Sequence, residues 1–306
     1  MDELVIRDGL YYKKFSDVPF TGKVNGQEQG LMKNGKRDGS WVEYHDNGEL
    51  RYKGNYKNGK AEGTWVFYNK YGQLWSERNF KNGKAEGCSV QYYENGQLYN
   101  KGNWKNDRQE GSYVQYYENG KLWYESEHKN GEKDGSDVIY HENGELWYKG
   151  KYKNGKKVGS WVTYYEYGQL ESKGDYKNGK KVGTWVEYFG HGVLKEKGNY
   201  KNDERDGSWV TYYNNRELST KGDYKNGKRD GSWVSYWGNG QLDYKGNYKN
   251  DKRDGTWVYY HENGELEYKS EFKNDKEEGY NISYNSDGTL DKGLTGTYKN
   301  GKKISD

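Results

Sequence analysis

The chain has 306 residues and is nearly neutral, with 50 Lys and Arg against 47 Asp and Glu. Hydrophobic residues make up only 30% of it, and Tyr and Trp, with 35 and 12 residues, supply about half of these. This composition excludes a deep aliphatic core, because an average globular domain is roughly 45–50% apolar. Aromatic residues at 17% argue against disorder, and no apolar run approaches the roughly 20 residues of a membrane helix. The one cysteine, Cys88, excludes an internal disulfide framework.

The first predicted element is a short hairpin over residues 4–12. It turns at Asp8-Gly9, a dipeptide typical of two-residue hairpin loops. We assign residues 1–30 to an N-terminal cap of this kind. The start, Met1-Asp2-Glu3-Leu4, lacks the pattern of a signal peptide. We therefore expect a cytoplasmic protein as written, or an exported one if a leader has been removed.

Residues 31–290 consist of eleven copies of a 24-residue repeat. Its most regular member is a glycine that recurs without a slip. The series is Gly39, Gly63, Gly87, Gly111, Gly135, Gly159, Gly183, Gly207, Gly231, Gly255 and Gly279. Self-similarity at such a period is typical of repeat architectures. Residues 291–306 depart from the repeat, as a C-terminal cap should, and we expect caps and repeats to form one continuous domain.

Each repeat contains two turn signals about twelve residues apart. In the copy at residues 39–62 they are Asp46-Asn47-Gly48 and Asn58-Gly59, and the runs between them are rich in Val, Tyr and Trp. Asn-Gly between such runs is the strongest short hairpin signal. The sequence therefore predicts an all-β protein. We expect an elongated, single-sheet antiparallel β-meander solenoid of 24-residue hairpins, twisted or superhelical.

The repeat string YKNGKxxGxWVxYxxNGxLxxKG resembles the MORN-variant repeat over residues 31–290. Bacterial proteins built of this repeat are often classified as YwqK-type antitoxins. The resemblance implies a β-hairpin repeat sheet that serves as a binding or scaffolding surface and has no catalytic motif. MORN repeats have also been linked to phospholipid and protein binding.

The pairing of the strands decides which side chains share a face. A three-residue loop at residues 46–48 places Tyr44 opposite Leu50 and Ser40 opposite Gly54. We expect this register. It gives one packed face, which consists of Val42, Tyr44, Leu50, Gly54 and Tyr56. A two-residue loop would instead shift the pairing by one residue and place Trp41 on the same face as Leu50.

Position 41 of the repeat is aromatic in eight copies and lies on the other face in the expected register. The row is Trp41, Trp65, Tyr113, Trp161, Trp185, Trp209, Trp233 and Trp257, and it is interrupted at Ser89, Asp137 and Asn281. One interpretation is structural, because such rings can interleave with Lys and Tyr side chains and cover the sheet. The other is an aromatic ladder that binds sugar rings, lipid or a partner chain.

Position 51 is aromatic in four consecutive copies, Trp75, Tyr99, Trp123 and Trp147, and polar in the other seven. These rings either fill the space left by the missing rings of the first row or form an exposed apolar patch, which usually marks a contact site. The candidate partner-binding residues are Trp75, Tyr99, Trp123, Trp147, Trp161, Trp185, Trp209, Trp233 and Trp257.

No pattern for catalysis or metal binding stands out. The histidines His45, His128, His141, His191 and His261 lack metal-ligand spacing, and neither a P-loop nor a G-x-S-x-G motif is present. We therefore expect no enzymatic activity, no cofactor and no metal. Nucleic acid is not expected as a partner, because the Lys residues are spread out and partly offset by acidic neighbours.

The favoured function is a non-catalytic repeat scaffold that binds a protein partner, whose identity the sequence does not give. The alternative is a module that binds a glycan or an anionic lipid surface through its aromatic rows and its basic KNGK-type turns. The third hypothesis is a purely structural spacer or surface ribbon.

Overall fold

The computed structural model describes residues 3–306, so the expectation drawn from Met1 and Asp2 lies outside it. The described residues form 28 β-strands and no helix, which confirms the all-β prediction. With helices absent from residues 3–306, none is available there to cross a membrane. The chain divides into two compact units. Unit 1 runs to Leu146 and includes Lys151–Lys156, and unit 2 comprises Trp147–Gly150 and Lys157–Asp306.

Unit 1 is an antiparallel meander in which β3 to β13 pair in chain order. Its strands are β1 (Leu4–Arg7), β2 (Leu10–Lys13), β3 (Gly22–Val24), β4 (Glu28–Lys33), β5 (Lys36–Tyr44), β6 (Leu50–Lys57), β7 (Lys60–Tyr68), β8 (Leu74–Lys81), β9 (Lys84–Tyr92), β10 (Leu98–Lys105), β11 (Arg108–Tyr116), β12 (Leu122–Lys129) and β13 (Glu132–Tyr140). Strand β14 (Leu146–Lys153) is divided between the units.

Unit 2 has the same organisation, and its strands pair antiparallel in chain order, with residues 252–253 and 255–260 both paired with residues 242–249. They are β15 (Lys156–Tyr164, of which Lys156 belongs to unit 1), β16 (Leu170–Lys177), β17 (Lys180–Tyr188), β18 (Leu194–Lys201), β19 (Glu204–Tyr212), β20 (Leu218–Lys225), β21 (Lys228–Tyr236), β22 (Leu242–Lys249), β23 (Lys252–Arg253), β24 (Gly255–Tyr260), β25 (Leu266–Lys273), β26 (Lys276–Ser283), β27 (Gly296–Lys299) and β28 (Lys302–Ser305). Two strands per 24 residues confirm the predicted β-hairpin repeat.

The N-terminal hairpin covers the first ring of the repeat array. Strands β1 and β2 are joined by the predicted two-residue turn at Asp8-Gly9. Tyr11 packs with other partly buried side chains against the core formed by Val24, Met32 and Trp41. The hairpin therefore shields the edge of an aromatic row that would otherwise meet water.

The two turns of the repeat have the predicted loop lengths. Asn58 and Gly59 both have positive φ, +52° and +78°, and link a two-residue hairpin in which Lys57 pairs with Lys60. Such a turn matches the right-handed twist of its strands. At the other end of β6, the His45 N–H donates to the Glu49 carbonyl at 2.7 Å and closes a three-residue loop.

The register beyond the three-residue loop differs from the prediction. Tyr44 pairs with Leu50 as expected, but Trp41, not Ser40, lies opposite Gly54. A bulge directly after Leu50 adds one residue to β6 and shifts every later pair. The predicted packed face is therefore wrong, because it mixes residues from both sides of the sheet.

The buried core lies on the face that carries position 41, here called the Trp face. In one repeat this face presents Trp41, Glu43, Tyr52, Gly54 and Tyr56, and the opposite face presents Val42, Tyr44, Leu50 and Lys53. Trp41 is fully buried, whereas Val42, Tyr44 and Leu50 are half-buried. Most of the apolar stabilisation of this repeat therefore comes from the indole ring.

The periodic glycine is needed for its backbone conformation. Gly63 has φ of +72°, and all eleven members of its series have positive φ. L-residues with a Cβ rarely adopt this conformation. The register between β6 and β7 shifts at this point, between Lys53 and Asn55. Two residues further on, Trp65 lies across the adjacent strand.

Candidate functional site

The basic packing unit of the Trp face is an aromatic ring laid on a glycine of the preceding strand. A Cβ atom on Gly54 would lie 2.2 Å from Cδ2 of Trp65, far inside contact distance. The indole Nε1–H donates to the Asn55 carbonyl at 3.2 Å, beside the register shift. The same contact joins Gly30–Trp41, Gly102–Tyr113, Gly150–Trp161, Gly174–Trp185, Gly198–Trp209, Gly222–Trp233 and Gly246–Trp257.

Several rings of the row, among them Trp65, Trp185, Trp209 and Trp233, are held between two aromatic neighbours at position 56. The Trp65 centroid lies 4.9 Å from Tyr56 and 6.2 Å from Phe80, both edge-to-face. Such pairs contribute about 0.5–1.5 kcal/mol beyond area burial. In unit 2, the Lys181 ammonium lies 4.1 Å from the Trp185 ring centroid and covers its outer side. These contacts match the interpretation that the rings interleave with Tyr and Lys and cover the sheet.

Five of the candidate partner-binding residues belong to this buried row: Trp161, Trp185, Trp209, Trp233 and Trp257. Trp209, for example, is only 2% exposed. Their rings already fill a site within the chain, so little of their surface is open to a partner. Partner binding by these five stays a prediction.

Three copies lose the ring, and each also loses the glycine beneath it. The exchanged pairs are Arg78–Ser89, Ser126–Asp137 and Ser270–Asn281. Sequence reasoning noticed the missing rings and missed the paired change. The paired change could have been found in the sequence, because the glycine and the ring are always eleven residues apart. Because glycine and ring are lost together, the glycine is needed to make room for the ring and not for the conformation of its strand.

At Ser126–Asp137 the vacated space is filled by a buried polar cluster. Asp137 is completely buried, accepts a hydrogen bond from the Tyr124 hydroxyl at 2.7 Å and pairs with the Lys133 ammonium at 2.7 Å. Burial, and secondarily the Lys133 charge, lowers the pKa of the neighbouring His128 imidazole. The side chains of Asp137, Tyr124 and Lys133 thus occupy the space that a ring fills in other copies.

At Ser270–Asn281 the gap is closed in a similar way. The Ser270 hydroxyl donates to Asn281 Oδ1 at 2.5 Å, and Asn281 Nδ2 donates to the Tyr268 hydroxyl at 2.8 Å. Tyr268 in turn donates to the Glu277 carboxylate. Burial and this carboxylate raise the pKa of Tyr268 above its usual range.

The third gap, at Arg78–Ser89, is open. A cavity of about 400 Å³ lies here, and the rings of Phe80, Trp104 and Tyr113 form part of its wall. Within residues 3–306, neither the Arg78 nor the Ser89 side chain makes a hydrogen bond or ion pair. The guanidinium of Arg78 has a single ring contact, 5.9 Å from the Phe67 centroid.

The rings at position 51 also lie on the Trp face but outside the buried row. Trp75 is 48% exposed and shares a shallow depression with Glu43 and Phe67. The Tyr99 hydroxyl accepts a hydrogen bond from Gln115 Nε2 at 3.2 Å. Trp123 is half-buried, with its ring 6.0 Å from that of Tyr117.

Trp147, in unit 2, is 44% exposed and lies 6.0 Å from the Tyr148 ring. Neither it nor Trp75, Tyr99 or Trp123 lines the cavity at Ser89. These four rings therefore do not fill the gap at Ser89, and that they fill the space of the other missing rings stays a prediction. In residues 3–306 no group of three His, Cys, Asp or Glu side chains is placed to hold a metal ion.

Nine segments of the chain match the family described as MORN repeat variant. They are residues 37–58, 61–82, 85–106, 109–130, 133–154, 157–178, 181–202, 229–250 and 253–274. Residues 205–226 are not among them, and there Arg216, with φ of +78°, replaces the glycine of the three-residue loop. No curated protein matches the chain.

Solved structures of TcdB2-TccC3 assemblies and of a Tc holotoxin pore show only a distant likeness. The TcdB2-TccC3-Cdc42 crystal structure is 14% identical over 92% of this chain and 17% of that chain, with a TM-score of 0.18. A Tc holotoxin pore of Photorhabdus luminescens is 13% identical over 83% of this chain and 16% of that chain, also at 0.18. The chain spans about one sixth of their length.

The family matches cover more than half of the chain. Repeats of this kind are generally modules that bind proteins or membranes, and they are generally non-catalytic. The chain belongs to the MORN repeat variant family.

Proposed function

We propose that this chain is a non-catalytic scaffold that binds a protein partner through an aromatic strip on unit 1. The strip is defined as Trp75, Tyr99 and Trp123. Successive members lie two strands apart, roughly 10 Å in a sheet with a 4.8 Å strand spacing. Such a spacing suits a row of apolar side chains on an extended or sheet-edge partner segment.

The observation that supports the strip is the behaviour of the same position in other copies. Arg51 forms an ion pair with Glu43 at 2.5 Å, and Lys195 forms one with Glu187 at 3.7 Å. Both of these cations are exposed, and the usual occupant of position 51 is polar. Aromatic residues there lie outside the buried row, and Trp75 and Trp147 create exposed apolar area, which on a soluble protein usually marks a contact site.

An antitoxin-like role, as the resemblance to YwqK-type proteins implies, is one form of this proposal, in which the partner is a toxin. Trp147, the fourth ring of the series, is proposed as a contact of unit 2. In this role the buried row supports the sheet that carries the strip.

The test compares the chain with a strip variant, W75S/Y99S/W123S. A matched control is Y71S/Y167S, since these tyrosines are 66% and 86% exposed. Proteins captured from a lysate are identified, purified and titrated against each variant. We expect at least tenfold weaker binding for the strip variant only, with unchanged circular dichroism.

Equal affinity for the strip variant and the unmodified chain would overturn the proposal. Binding to a glycan array or to anionic liposomes that disappears in the strip variant, with no protein partner recovered, would identify the strip as a surface for those ligands instead. A change of Trp123 and Trp147 to Ser should likewise remove partner binding without unfolding the chain.

A further inference from the structure

The open gap at Arg78–Ser89 has the shape of a ring site without its ring. In the preceding repeat, Trp65 fills the equivalent place between Tyr56 and Phe80. In this repeat the flanking aromatic residues are still present, because both Phe80 and Trp104 line the cavity. Ser89 takes the place of the ring and leaves the space between them empty of side chains.

The gap differs from the two other exchanged pairs. Asp137 and Asn281 are fully buried, and each is bonded to a neighbouring tyrosine hydroxyl. Ser89 makes no side-chain hydrogen bond within residues 3–306. The chain has therefore closed two of its gaps with internal polar groups and left this one accessible.

Arg78 gives the gap a positive charge at its mouth. Its guanidinium is exposed, and it has neither an ion pair nor a hydrogen bond within the described part of the chain. Asp107 also lines the cavity, but its Oδ1 already accepts a hydrogen bond from the Ala85 N–H at 2.7 Å. A guanidinium can bind a carboxylate with two parallel hydrogen bonds.

Polar groups on the wall can orient a ligand. Asn100 is 8% exposed, and its Nδ2 donates to Gln91 Oε1 at 2.7 Å, so this pair is held in place. The volume of about 400 Å³ lies within the usual range of small-molecule sites. The cavity thus combines aromatic walls, fixed amides, the hydrogen-bonded Asp107 carboxylate and one unpaired cation.

We propose that the Arg78–Ser89 cavity binds a planar aromatic ring that carries a carboxylate. The ring takes the place of the missing indole between Phe80 and Trp104, and the carboxylate pairs with Arg78. Two sources have this chemistry, a free aromatic acid and the C-terminal aromatic residue of a peptide. This site is distinct from the aromatic strip and does not depend on the function proposed for it.

The experiment is calorimetric titration of the full chain with three probes. They are N-acetyltryptophan, its neutral amide and indole-3-acetate. We expect the two acids to bind and the amide to bind at least tenfold more weakly. Tighter binding of N-acetyltryptophan than of indole-3-acetate would assign the site to a peptide C-terminus, and the reverse order to a free acid.

Two variants test the location. R78G/S89W rebuilds the glycine–ring pair of the repeat, fills the cavity with the chain's own indole and should reduce binding of both acids at least tenfold. In R78Q, N-acetyltryptophan and its amide should bind with about equal affinity, and the affinity for the amide should be that of the wild type. This variant tests the role of the charge even if the double variant fails to fold. Equal acid binding by wild type and R78G/S89W, or no binding by wild type, would overturn the proposal.

Discussion

The indole of Trp209 lies on Gly198 so closely that a Cβ at residue 198 would be 2.1 Å from Cδ2 of the ring. The ring's Nε1–H donates to the Asn199 carbonyl at 3.1 Å. Glycine at this position is therefore required by the ring of the next strand. This relationship recurs through both units and supports most of the predictions that follow.

A methyl group at residue 198 should destabilise unit 2. In Gly198→Ala the new Cβ must displace the Trp209 ring or the strand, and overpacking of this kind costs about 1–3 kcal/mol. The matched control is Gly238→Ala, because a Cβ at Gly238 has open space around it. Its free energy of unfolding should change by less than about 0.5 kcal/mol. Urea denaturation of both variants gives the comparison, and equal effects would contradict the packing described.

The exchanged pair Ser270–Asn281 should behave as a coupled unit. Asn281→Trp alone should destabilise the chain, since the Ser270 side chain obstructs the ring and Tyr268 loses a hydrogen-bond partner. Ser270→Gly combined with Asn281→Trp restores the usual pair and should recover the loss. A double-mutant cycle is expected to give a coupling of about 0.5–3 kcal/mol. Simple additivity of the two single changes would argue against a ring seated on residue 270.

His128 should make the stability of unit 1 sensitive to acid. Burial and the Lys133 charge lower its pKa in the folded state, while Asp137 acts in the opposite direction. The unfolded chain takes up a proton near the ordinary pKa of about 6.5, at a pH where the folded ring stays neutral. Protonation of the unfolded chain therefore favours unfolding below about pH 6.5. The stability of the fold is not reduced by His128 above this pH and decreases as the pH falls below it.

The matched variant for this effect is His128→Phe, because Phe272 occupies the same repeat position. Denaturation is measured at several pH values between about pH 8 and about pH 5. The variant should lose less stability than the wild type over this range. Parallel pH profiles of the two proteins would show that His128 carries none of the effect.

The two aromatic rows should differ in their contribution to stability. Trp209→Ala removes a buried indole and should cost about 3–5 kcal/mol. Trp75→Ser removes a half-exposed ring and should change the free energy of unfolding by less than about 0.5 kcal/mol. Denaturant midpoints measure both, and a large loss in Trp75→Ser would place that ring in the core instead of at a contact surface.

Much of the fold follows from local sequence signals. Asn58-Gly59 and Asp46-Asn47-Gly48 specify their turns through residues that tolerate positive φ, and their spacing specifies the meander. The bulge after Leu50 was not predictable in this way, because Arg51 carries no mark of a bulge in its residue type. That single inserted residue moves Gly54 to the face of Trp41 and changes which row is the core.

The candidate site was only partly accessible from sequence. The aromatic series that begins at Trp75 stood out because the same repeat position is polar in the other copies. The cavity required knowledge that Arg78 lies opposite Ser89, which depends on the register and not on the residues alone. Whether the units twist or coil along the chain stays a prediction.

The most direct test of this account is the solvent accessibility of each tryptophan, measured by hydroxyl-radical footprinting and mass spectrometry of the intact chain. Trp75 and Trp147 should be oxidised rapidly, whereas the buried row from Trp41 to Trp257 should be protected until the chain unfolds. Uniform oxidation of both rows, or protection of Trp75 together with oxidation of Trp209, would contradict the assignment of core and contact surface.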